Sequence, residues 1–195
     1  MNMKRIINFS VLIVVFAAML IVGCKSNKTK LPSGETEVSV PCSGPGFYTD
    51  NKVFRANSIG ESMDLVTAKK KALTNARNDL AQSIQTTVKT VTDNYTNSTS
   101  MDKKEQLEQK FESLNREVVD QTLQGIKTIC EKPVQTKEGT YKYYVAIELS
   151  ADNLIQEYKN RLSADDKLKV DYDYEKFKDT FNKEMDKMAA QKNGN

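Results

Sequence analysis

Apolar residues recur along this chain with two distinct periods, and each predicts its own kind of element. Leu65, Ala68, Ala72, Ala76, Leu80, Ile84, Val88 and Val91 follow one another at intervals of three or four, the spacing of one helix face. They predict a helix over 62–91, with Ser62 as its cap and Asp64 in the first turn, where a carboxylate suits the helix dipole. The three alanines let such a helix lie close against a sheet, and Lys69, Lys70, Arg77 and Asn78 mark its wet face. Turn-forming residues at Thr92–Ser100 predict a break. Leu107, Phe111, Leu114, Val118 and Leu123 then predict a second helix over 101–123. The two form a helical hairpin whose first arm spans roughly 45 Å at 1.5 Å per residue. A small sheet cannot cover that length, so the tip is expected to project beyond the core.

Elsewhere the period is two. Val38, Val40 and Cys42 alternate and predict a short strand or an extended segment, which Pro41 confines to an edge or a strand end. Val53–Gly60 predicts a strand stopping at glycine. Gly125–Val134 and Thr140–Leu149 predict a β-hairpin around Lys137-Glu138-Gly139. In its second strand Tyr141, Tyr143, Val145, Ile147 and Leu149 share one face, while Lys142, Tyr144, Ala146 and Glu148 share the other. A short helix capped by Ser150 follows, through Leu154, Ile155, Tyr158 and Leu162. Last comes an amphipathic helix striped by Tyr174, Phe177, Phe181, Met185 and Met188, free either to fold back or to dock on a partner. The fold class is therefore α+β: a small antiparallel sheet packed by a long helix or helical hairpin, plus a C-terminal amphipathic helix.

The N-terminus follows neither period. Lys4 and Arg5 precede an unbroken apolar run, Val11–Val22, that closes on Leu20-Ile21-Val22-Gly23-Cys24. A membrane span needs roughly 20 apolar residues, and this run is shorter. It reads as a signal peptide ending in a lipobox, cleaved before Cys24, whose thiol carries palmitate-type acyl chains. Each buried acyl methylene contributes about 0.8 kcal/mol, so such chains hold a protein to a bilayer without a spanning helix. The expected organisation is a signal peptide (1–23), a lipidated tether (24–36), an α+β domain (37–162), and a C-terminal helix and tail (163–195). Lys25, rather than aspartate, follows Cys24, which in enteric-type sorting implies the outer membrane and a periplasm-facing domain. In a single-membrane cell it implies the outer face of the plasma membrane.

Cleavage also changes the charge. The net +3 of the whole chain loses two basic residues and becomes nearly neutral, which removes any case for nucleic acid as a partner. Histidine is absent, so neither a Ser-His or Cys-His nucleophile pair nor a His-ligated zinc site can be built. No paired acidic motif, Gly-rich phosphate loop or Cys-x-x-Cys occurs. The expectation is a non-enzymatic chain without catalytic residues, cofactor or metal. With Cys24 acylated, Cys42 and Cys130 remain, as a disulfide suited to an exported protein or as two buried thiols.

Several of these features together resemble the twenty-kilodalton membrane-associated lipoprotein family (the LPP-twenty type). They are the lipobox at Cys24, the glycine-ended strand Phe54–Gly60, the alanine-spaced helix Ala68…Ala72…Ala76-Arg77…Leu80-Ala81, and the alternating strand Tyr143–Leu149. The likeness covers roughly 53–150. It implies an α+β domain in the outer envelope, with a long helix on a small antiparallel sheet, and supplies no catalytic residues.

Two functions are compatible with this reading. One is a lipid-anchored envelope module that binds another envelope protein or itself, with Phe177 and Phe181 on the C-terminal helix as contact candidates. The other is a small-ligand-binding lipoprotein with a pocket between sheet and long helix, lined by Tyr141, Tyr143 and Tyr144, since tyrosine combines an apolar face with a polar tip.

Overall fold

A computed structural model of the chain describes residues 34–98, 104–164 and 173–193. The expected signal peptide, the acylated Cys24 and the tether as far as residue 33 lie outside them. The chain divides into two compact units, Met1–Val38 and Ser39–Asn195. In the first, residues 35–38 are exposed and take no regular secondary structure.

Three strands, β1 (Val53–Ser62), β2 (Lys127–Gln135) and β3 (Tyr141–Ser150), form an antiparallel sheet in the order β1-β3-β2. The register sets Phe54 opposite Leu149, Gly60 opposite Tyr143, and Cys130 opposite Ala146. Alternation then points Phe54, Gly60, Val145, Ile147 and Leu149 to one face, where all are buried. That face meets α1 (Leu65–Asn97). Ala68, Ala72 and Ala76 are fully buried against it. Gly60 is required at the crossing: a Cβ there would overlap the Ala68 carbonyl oxygen and lie 2.5 Å from the Ala72 nitrogen.

The helix begins later than its sequence pattern predicts. Asp64, not Ser62, is the cap; its Oδ1 accepts the Thr67 amide at 2.7 Å. Those hydrogen bonds, foremost from Thr67, hold the Asp64 carboxyl below its ordinary range. The predicted break at Thr92 is also corrected, since α1 runs on to Asn97. The hydroxyls of Thr86, Thr87, Thr90 and Thr96 donate to the carbonyl four residues back, and Thr92 to Lys89. Their polar atoms are thus satisfied inside the helix, and Thr87, Thr92 and Thr96 can be buried.

At 33 residues, α1 is about 50 Å long, and its far half does not project bare. The helices α2 (Lys104–Thr122), α3 (Ala151–Ala164) and α4 (Tyr174–Asn193) build a second core around it. Tyr95, fully buried, meets Phe111 and Phe177 edge-on at 5.9 and 5.6 Å, and Phe177 stacks on Phe111 at 5.9 Å. The Tyr158 ring closes on Phe177 at 5.4 Å, and its hydroxyl donates to Asn115. Beside the sheet, Phe181 meets Phe54 at 6.4 Å. The C-terminal helix has folded back, and Phe177, Phe181 and Met185 are buried.

Of the two forms expected at Val38–Cys42, a short strand or an extended segment, the strand does not form. Cys42 has φ +56° and Gly44 φ +98°, left-handed conformations that end any extended pairing.

Candidate functional site

The helical face of the sheet is closed, so its chemistry concerns the other face and the edges. Residues 39–50 cross that outer face as a strap. It is covalently fixed at β2 by the Cys42–Cys130 disulfide. Beneath it Ala146 is fully buried and Cys42 is 6% exposed. At β1 it is fixed by Arg55, whose guanidinium donates to the Tyr48 carbonyl at 3.0 Å, to Asp50 at 2.9 Å and to Glu148 at 3.1 Å. Burial pushes the Asp50 carboxyl up. The amides of Lys52 and Val53 and the Arg55 charge outweigh that effect and hold it below the usual carboxylate range.

The strap also decides how much of the β1 edge is open. The Arg55 amide donates to Thr49 Oγ1 at 2.9 Å, and that hydroxyl donates to the Arg55 carbonyl at 3.2 Å. The Asp50 amide bonds the Val53 carbonyl at 3.0 Å. Val53 and Arg55 therefore turn their backbone groups away from β3. By the two-residue period of an antiparallel ladder, so do Asn57, Ile59 and Glu61. Lys71 Nζ donates to the Glu61 carbonyl at 3.1 Å. The strap stops short of Asn57 and Ile59, whose outward amides and carbonyls have no backbone partner among the described residues.

The two outer strands differ in this respect. β2 carries Pro133, a bulge at Thr128–Cys130, and the charges of Lys127, Glu131 and Lys132, the devices that discourage edge pairing. The Asn57–Glu61 stretch of β1 has no proline or bulge, and Ile59 is 44% exposed. Met63, Leu65 and Val66, which follow the end of β1, are exposed as well. An extended peptide laid along such an edge gains main-chain hydrogen bonds and packs alternate side chains on the two faces.

The sequence-predicted contact residues do not come together. Tyr143 faces α1, 5% exposed, with the Lys69 ammonium 5.4 Å from its ring. Lys69 also pairs with Glu131 at 3.1 Å. The Lys69 hydrogen bond is the main cause that lowers the Glu131 carboxyl. Tyr141 is half-buried on that side, while Tyr144 is half-buried on the outer face. Phe177 and Phe181 are inside the core. Cavities lie elsewhere: about 480 Å³ between α1 and α2, bounded by Lys89, Asp93, Glu112 and Arg116, about 600 Å³ between α1 and α4, and about 640 Å³ where the start of β1 meets Asp152 and Asp186. Sequence reasoning missed Thr49, Arg55, Ile59 and Lys71. An apolar Ile59 on the polar face of its strand was the one visible sign.

Among the described residues no group of three or more His, Cys, Asp or Glu is placed to hold a metal ion. None of the described helices is long and apolar enough to cross a membrane. No curated protein and no solved structure matches the chain. The model of a family described as LPP20 lipoprotein matches residues 48–150, more than half of the chain. That segment holds the three-stranded sheet, α1 and the open β1 edge, and the chain belongs to the LPP20 lipoprotein family of bacterial, envelope-associated lipoproteins.

Proposed function

We propose that this protein is a non-enzymatic interaction module of the bacterial envelope, held to the outer membrane by acyl chains on Cys24 and facing the periplasm. The half-open β1 edge at Asn57–Glu61 carries this reading. An unpaired strand edge is an aggregation hazard that proteins ordinarily cover, and here the strap's contacts with β1 reach only Arg55, short of the exposed Ile59. The lipobox supports the anchor, and the lack of histidine removes the commonest general acid–base group. Its partner is another envelope protein or a second copy. The ligand-binding alternative has no comparable support, because the sheet–helix interface that would hold the pocket is filled by Gly60, Ala68, Ala72 and Ala76.

Crosslinking in intact cells, then recovery of the full-length lipoprotein and mass spectrometry, tests the proposal. A dominant envelope partner or a discrete self-adduct is expected. A protein that remains uncrosslinked and strictly monomeric would contradict it.

A further inference from the structure

The open edge of β1 restricts what can occupy it. A second β1 related by a two-fold axis cannot. The α1 backbone lies directly over Gly60, so pairing β1 with β1 would place two helices, each about 10 Å across, over strands about 4.8 Å apart. The occupant must be an extended segment that brings no helix with it.

This chain carries such a segment. In Glu35–Val40, Glu35, Glu37 and Ser39 alternate with Thr36, Val38 and Val40. The segment takes no regular secondary structure, and Val38 is 76% exposed. Two residues later Cys42 bonds Cys130 on β2, the strand separated from β1 by β3. Cys42 is thereby held on the strand away from the open edge, an arrangement suited to head-to-tail pairing between copies.

We infer that residues 35–40 of one copy add as an antiparallel fourth strand to Asn57–Glu61 of the next, with Val38 opposite Ile59. This rests on the interaction-module reading and names its partner. In this register Val38 meets the exposed Ile59 on the outer face. Glu37 falls opposite Gly60 on the helical side, where Lys71 stands: the Lys71 Cβ is 3.0 Å from the position a Gly60 Cβ would take. The pairing thus joins an acidic side chain to a lysine and a valine to an isoleucine, as the backbone of Asn57 and Ile59 gains partners. A head-to-tail contact repeats from copy to copy, forming a ring or an open chain.

The test uses the acylated full-length protein in intact cells, with a photo-crosslinking amino acid at position 59. Self-adducts whose crosslinked peptide contains residues 35–40 are expected. Glu37→Lys or Lys71→Glu alone lowers their yield about three-fold, the scale of an exposed ion pair, and the two together restore it. All three positions are exposed, and Lys71→Glu gives up an exposed hydrogen bond to the Glu61 carbonyl rather than a core contact. An adduct with a different protein overturns this inference and leaves the interaction-module reading standing. Self-adducts mapped elsewhere, or no recovery in the double variant, overturn the register. No adduct at position 59 or with a general crosslinker overturns both.

Discussion

Gly60 on β1 lies so close under α1 that a methyl group there would overlap the carbonyl oxygen of Ala68. The obstruction is helix backbone, which cannot swing aside as a side chain does. Gly60→Ala should therefore lift α1 from the sheet and cost about 1–3 kcal/mol, the usual range for overpacking. Urea unfolding of the variant checks this; an unchanged midpoint would refute the close approach.

Phe177 joins α4 to the far half of α1 through Tyr95, Phe111 and Tyr158. Removing its ring leaves a cavity shared by α1 and its covering helices. Phe177→Ala should cost about 3–5 kcal/mol and make α4 the first element cut in limited proteolysis. Phe177→Leu should retain a large part of that stability.

The Cys42–Cys130 bridge closes a loop of 88 residues in sequence separation, which in the chain-entropy model is worth about 4–5 kcal/mol. Replacing both cysteines by serine should lower stability on that scale. It should also loosen the strap, seen as protease cleavage within residues 39–49 and faster amide exchange at Ala146. Equal protection in both forms would show that Arg55 alone holds the strap.

Acid should weaken the same strap. Asp50 has a folded-state value below its ordinary 3.8, so in that range the unfolded chain binds the extra proton. The stabilisation is present above pH 3.8 and is lost as pH falls through the folded value. Glu131, lowered from 4.5, adds a loss of the same sign. Asp50→Asn should be less stable than the parent near neutrality, and the gap should close on acidification. A gap independent of pH would contradict the Arg55–Asp50 assignment.

Much of this fold is legible in sequence because its patterns are local. The alanine stripe, the alternation through Tyr143–Leu149 and the Phe177/Phe181/Met185 spacing each report one buried face. The run beyond Thr92 was not legible, because threonine favours turns in short peptides yet satisfies its hydroxyl inside a long helix packed by Phe111 and Phe177. The open edge was hidden for a different reason. It depends on where a strap from residues 39–50 ends against β1, a long-range relation set by Thr49 and Arg55 that no periodicity encodes.

Residue-resolved amide exchange tests the central claim, that β1 docks an extended segment, most directly. The measurement compares the acylated protein in its native membrane with the same protein diluted in detergent. Ala56 and Ser58, bonded toward β3, serve as internal references. Asn57 and Ile59 are expected to be protected in the membrane and to exchange freely after dilution, while Ala56 and Ser58 do not change. Equal, fast exchange of Asn57 and Ile59 in both states would contradict that claim.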